Sequence, residues 1–135
     1  MKILLPLDDS KFAEKNVEYV KNLAKKLDAE LSLLHIIALP PSEPGSIDFA
    51  PLEKAGKDFL EKKKRELESE NIRVSTKVVV GFAKVGDTII DEAGKQKVDM
   101  IALGAKGKSL FRNLVLGSVA DNVTRNAPCP VLVIR

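Results

Sequence analysis

The chain has no tryptophan, one tyrosine, one histidine and one cysteine among its 135 residues. Aromatic residues amount to 4%, too few for the stacking platforms of a single-strand nucleic-acid binder. A lone Cys129 excludes an intrachain disulfide framework. A lone His35 leaves little from which to build a metal centre. Long apolar runs are missing as well. The longest stretch without a charged side chain is Leu31 to Ser42, 12 residues that include two prolines, against roughly 20 apolar residues for a spanning helix. The opening Met1 to Leu7 is too short for a signal-peptide core and has no small-residue cleavage site. Nor does one charge dominate: 22 basic and 19 acidic side chains leave a net charge of +3, which points neither to nucleic acid nor to a membrane surface. The expectation is a soluble, cytoplasmic protein whose residues 1–135 form one domain.

What is present is a globular balance, 44% apolar and 30% charged. Lys2 to Leu7 is an apolar run that breaks at Asp8-Asp9-Ser10, a buried strand and a turn. Ser10 is placed to cap the next helix, where Ala13, Val17, Val20, Ala24 and Leu27 recur at helical spacing. Leu31 to Ile37 is a second strand and Leu39 to Ala50 a loop rich in proline. A helix is predicted over Pro51 to Glu70, with Leu52, Ala55, Phe59, Leu60 and Leu67 inward. Arg73 to Val80 alternates weakly, as an edge strand does. A helix over Val85 to Gln96, a strand over Val98 to Leu103, a loop over Lys106 to Leu116, a helix over Ser118 to Asn126 and a strand over Pro130 to Ile134 complete the chain. Strands separated by helices run parallel. With right-handed crossovers the fold class is α/β: a three-layer sandwich of a five-stranded parallel sheet and four helices.

In such a sheet, ligands settle at the carboxyl ends of the strands where the strand order reverses. Two strand ends carry unusual residues. One is Pro6-Leu7-Asp8-Asp9-Ser10. The other is Leu103-Gly104-Ala105-Lys106-Gly107, followed by Gly117-Ser118. From Met100 to Ala120 there is no Asp or Glu, while Lys106, Lys108 and Arg112 are present together with three of the eight glycines. Glycines let main-chain N–H groups close on an anion, and a helix N-terminus adds unpaired N–H groups and a positive dipole end. A phosphate cradle fits this pattern; a flexible loop with turn glycines and a solvated cationic face fits it equally well.

Other motifs weigh less. Gly81 to Thr88, GFAKVGDT, imitates a P-loop, but Asp87 stands where the lysine belongs. Ala102 to Ser109, ALGAKGKS, begins inside an apolar strand, where a loop glycine is required. His35 reads as a hydrogen-bonded core histidine and Cys129, between two prolines, as a buried structural thiol. The basic run Lys62 to Arg65 reads as a solvated helix face with Asp58–Lys62 and Glu61–Arg65 pairs.

Taken in order, these segments resemble the universal stress protein family. Gly104-x2-Gly107-x9-Gly117-Ser118 is similar to the nucleotide motif of its ATP-binding branch, and Pro6-x-Asp8-x-Ser10 to the family's opening. Leu33 to Ile37, Val79-Val80-Gly81 and Ala127 to Ile134 resemble its second, third and last strand segments. The resemblance implies the sheet order 3-2-1-4-5 and ATP, with or without Mg or Mn, between the first and fourth strands. It implies Asp8 on the ribose, Pro6 and Leu7 along the adenine, and Ile36 against the adenine. Leu103, Gly104 and Gly107 would cover ribose and phosphates, and Gly117, Ser118 and Val119 would hold the phosphates. Ala105 departs from the usual Ser or Thr, which removes one side-chain donor. No metal-ligating or catalytic residue is assigned, because the acid-free stretch offers no general base.

The function these residues suggest is an ATP-binding stress-response or regulatory protein with at most slow hydrolysis or phosphate transfer. The alternative is a dimeric interaction module of the same fold that binds no nucleotide. The last strand, Val131 to Ile134, leaves an open edge, and the resemblance implies a homodimer through it; a protein client is expected but not identified. Leu110, Phe111, Leu114, Val115 and Leu116, apolar for a loop, are expected to pack over the nucleotide or meet a partner.

Overall fold

The computed structural model describes residues 1–40, 48–106 and 116–135. Five strands alternate with four helices: β1 (Lys2–Pro6), α1 (Ala13–Leu27), β2 (Glu30–Ala38), α2 (Ala50–Glu68), β3 (Val74–Gly81), α3 (Val85–Gln96), β4 (Met100–Gly104), α4 (Ser118–Asn126) and β5 (Val131–Ile134). All neighbouring strands are parallel, in the order β3-β2-β1-β4-β5. The first two crossovers step outward from β1 on one side. The third returns past it to β4, so a right-handed connection must carry α3 and α4 over the opposite face. The core divides accordingly. Val17, Val20 and Ala24 of α1 and Leu60 and Leu67 of α2 pack on Ile3, Leu5, Leu31 and Leu33. Ile89 and Ala93 of α3 and Ala120 and Val123 of α4 pack on Leu4, Leu34, Ile101 and Leu103. Alternate residues of each strand thus serve alternate layers.

Three local expectations need correction. Ser10 does not cap α1. The helix begins at Ala13, whose N–H donates to the Ser10 carbonyl at 3.1 Å. The Ser10 N–H itself donates to Asp8 Oδ1 at 2.9 Å. An Asp two residues upstream competes for the turn and wins it. The buried stripe of α2 is Gly56, Leu60, Lys63 and Leu67, while Leu52 and Ala55 face outward. A Cβ on Gly56 would stand 3.0 Å from His35 Cδ2 and 3.3 Å from a Val78 methyl, so the sheet approaches the helix where the side chain is smallest. Lys63 is buried because Glu14 of α1 and Glu66 receive its amine. The pairs along α2 also differ: Asp58 bonds Lys54, and Glu61 accepts from the Thr76 hydroxyl at 3.5 Å.

On the α3 side, one polar chain crosses the apolar layer. The Ser32 hydroxyl meets Gln96 Oε1 at 2.6 Å, Gln96 Nε2 donates to Glu92 Oε2 at 3.2 Å, and Lys77 of β3 reaches the same oxygen at 2.9 Å. Glu92 is 3% exposed; a buried carboxylate persists only with such partners. Among the described residues no helix is long and apolar enough to cross a membrane.

Candidate functional site

The carboxyl ends of β1, β2 and β4 and the first turns of α1, α3 and α4 enclose a cavity of about 460 Å³, within the range of small-molecule sites. It lies where the strand order reverses. From β1 and its turn come Pro6, Leu7 and Asp8. From β2 come Leu34, His35, Ile36 and Ala38, and from α3 Val85 and Ile89. The opposite wall is Leu103, Gly104, Ala105 and Lys106, closed by Gly117, Ser118, Val119 and Ala120 of α4. Asp8 is the one carboxylate and Lys106 the one cationic side chain among its described lining residues. One end of the crevice is therefore apolar, walled by Ile36, Val85 and Ile89. The other carries main-chain donors.

Those donors are set by a bond between two turns distant in sequence. The Gly117 N–H donates to the Ala105 carbonyl at 2.7 Å, and Asp121 N closes the first turn of α4 on the Gly117 carbonyl at 2.9 Å. The Gly117 N–H, expected to hold phosphate, is therefore already engaged. Among the described residues, the N–H groups of Ser118, Val119 and Ala120 have no main-chain partner. Gly117 contributes its lack of a side chain instead. Ala105, which departs from the usual Ser or Thr, is 4% exposed, and its N–H donates to the Ile134 carbonyl at 2.8 Å.

Of the residues singled out in the sequence, Pro6, Leu7, Asp8, Ile36, Leu103, Gly104, Gly117, Ser118 and Val119 line this one cavity. Gly107 lies outside the described residues, as do Leu110, Phe111, Leu114 and Val115; Leu116 packs against the α3–α4 layer. His35, Ala38, Val85, Ile89 and Asn16 were not foreseen, while Lys106 of the cationic stretch lines the cavity as well. Asn16 had a signal: it follows Ala13 by three positions and precedes Val17, at the margin of the apolar face of α1.

The His35 Nδ1–H donates to the Leu7 carbonyl at 2.8 Å, and the ring meets Phe59 edge-on with centroids 5.4 Å apart. The bond fixes the tautomer and anchors the strand end that bears Asp8. Burial pushes the Cys129 thiol above its usual range, so it is a poor nucleophile at neutral pH. The P-loop-like run is split in two. Gly81 ends β3, and Gly86 lies inside α3, where an added Cβ would come within 2.5 Å of Asn122 Nδ2. Among the described residues no group of three or more His, Cys, Asp or Glu side chains is placed to hold a metal.

Comparison with known proteins agrees with the fold. The universal stress protein family matches residues 1–135. Universal stress protein MJ0531 of Methanocaldococcus jannaschii is 31% identical over 99% of this chain and 81% of its own length. The solved structure of hypothetical protein MJ0577, from the same organism, superposes with a TM-score of 0.82 at 31% identity, over 98% of this chain and 94% of that one. A universal stress protein from Archaeoglobus fulgidus, solved in complex with dAMP, shares the fold at a TM-score of 0.73 and 23% identity, over 100% and 98% of the two chains. The match runs the full length of the chain, and this protein belongs to the universal stress protein family.

Proposed function

We propose that the crevice binds ATP and that residues 1–135 act as one nucleotide-binding regulatory domain. The observation that carries this reading is the stitch from Gly117 to Ala105. It holds the start of α4, whose first N–H groups have no partner among the described residues, in the lining of the cavity that Asp8 also borders. The adenine lies in the apolar end against Pro6, Leu7 and Ile36. The ribose reaches the second carboxylate oxygen of Asp8, Oδ1 being bonded by the Ser10 N–H, and Leu103 and Gly104 form the wall beside it. The phosphates meet the N–H groups of Ser118, Val119 and Ala120, the Ser118 hydroxyl and Lys106, since donors at a helix N-terminus favour anions. With no metal cluster among the described residues, Mg or Mn would be held chiefly by the phosphates. No described residue at the phosphate end offers a general base, so turnover is slow or absent.

Calorimetric titration of ATP and ADP into the purified protein tests this. Saturable heat with both is expected. No heat and no thermal shift at millimolar ATP overturns it in favour of a nucleotide-free interaction module. Steady phosphate release near ~1 s⁻¹, an ordinary enzymatic rate, overturns the regulatory reading.

The same reading includes a homodimer. Val131, Leu132 and Val133 of β5 are only half-buried in the single chain, and the outer edge of this strand has no partner in it. Sedimentation at micromolar concentration is expected to show two copies, and a proline at Val133, which removes an N–H from the edge, is expected to lower the association. A monomeric parent protein overturns this part.

A further inference from the structure

A second cavity, of about 390 Å³, is large enough for a small molecule. It shares Asn16, Gly104, Ala105 and Lys106 with the crevice. Its other described lining residues are its own: Phe12 and Lys15 at the start of α1, and Ile134 and Arg135 at the end of β5. Part of this lining is apolar. Ile134 and Ala105 are 8% and 4% exposed, and Phe12 is half-buried.

The rest is cationic. Lys15, Lys106 and Arg135 border the cavity, and its described lining contains no Asp or Glu. The Lys11 ammonium stands 5.4 Å from the centroid of the Phe12 ring, a cation–π contact that adds positive charge beside the cavity. Among the described residues none of these cations meets a side-chain carboxylate at ion-pair distance. The Lys15 ammonium donates to the Arg135 carbonyl at 2.7 Å, which leaves its other N–H groups to a ligand. Where α1 meets α2, by contrast, the cations are matched: Lys21 and Lys25 both reach Glu70, and Lys63 reaches Glu14. Cations gathered around an apolar hollow without a counter-charge repel one another, and an anion seated among them relieves that repulsion.

We propose that this cavity is a second ligand site, for a small organic oxyanion: a carboxylate or a phosphate monoester on an apolar body about the size of a ring. Lys15, Lys106 and Arg135 attract the oxyanion, and Phe12 and Ile134 cover the apolar body. Phe12, Lys15, Ile134 and Arg135 border this cavity and not the crevice, so the site is separable from nucleotide binding.

The test is calorimetry of phenyl phosphate, benzoate, inorganic phosphate and benzyl alcohol with the parent protein, Lys15→Gln and Phe12→Ala. Glutamine is as good a helix former as lysine, and Phe12→Ala keeps the main-chain carbonyl that accepts from the Asn16 N–H. Phenyl phosphate or benzoate is expected to bind saturably, and more tightly than inorganic phosphate or benzyl alcohol; the tighter of the two tells a phosphate ester from a carboxylate. Lys15→Gln and Phe12→Ala are each expected to weaken that aryl anion at least about threefold, with ATP affinity unchanged. No saturable binding of either aryl anion to the parent protein overturns the site. Binding that neither substitution alters overturns it too, by placing the anion elsewhere, as does an equal loss for ATP, which would make the cavity an extension of the crevice. Failure of ATP to bind the parent protein removes the nucleotide reading alone, since the aryl-anion titrations decide this site without it.

Discussion

Gly117→Val is expected to lower ATP affinity at least about tenfold, or about 1.4 kcal/mol, with the fold intact. Gly117 has φ −65° and ψ 160°, extended backbone that a β-branched residue adopts readily, and its N–H remains free to bond the Ala105 carbonyl. Helix α4 keeps its anchors, Ala120 and Val123, which are 2% and 0% exposed. Gly117 lines the cavity beside Ser118, so an isopropyl group there is expected to narrow the space in front of the α4 donors. The loss should grow with the phosphate count and vanish for adenosine. Titrations of ATP, ADP, AMP and adenosine read this gradient, and unchanged ATP affinity would show that the phosphates bind elsewhere.

Asp8→Ala carries the second large effect, a loss of about 10- to 100-fold, the range for a hydrogen bond to a charged group. Its signature is the opposite of the first: ATP, ADP and AMP should weaken alike, because each has the same ribose. The substitution also removes the acceptor of the Ser10 N–H. Asp8→Asn separates the two contributions, since its amide oxygen still accepts from Ser10 while the charge is gone. An intermediate loss is expected for it. A loss that increases with each added phosphate would instead put Asp8 at the triphosphate, acting through a cation.

The alternation of strands and helices and the parallel sheet were legible because their determinants are local, whereas the strand order came from the family resemblance. Apolar runs alternate with helical periodicities, and crossover handedness does the rest. The stretch from Gly104 to Ser118 was legible for a different reason: glycines and a run free of carboxylates are uncommon together, and both serve an anion, whereas Pro6, Leu7, Asp8, Ile36 and Val119 were assigned through the family resemblance. The contribution of Gly117 was misread because its N–H is claimed by a carbonyl at position 105, a contact that no spacing rule encodes. The inward face of α2 was misread because Gly56 and Lys63 do not score as apolar. Yet one is needed for clearance from His35, and the other is neutralised by Glu14. Asn16 escaped notice because a polar residue beside an apolar stripe is ordinarily solvated. Only the fold shows that it leans on Gly104.

The ion pair between Lys77 and buried Glu92 also has a consequence for edge strand β3. Val78, Val79 and Val80 are interchangeable, so sliding β3 by one residue along β2 would replace valine with valine and cost its apolar contacts little. Such a slip would turn Lys77 to the opposite face of the sheet and leave the Glu92 carboxylate, 3% exposed, without its cation. The three valines supply adhesion without addressing; one lysine supplies the address.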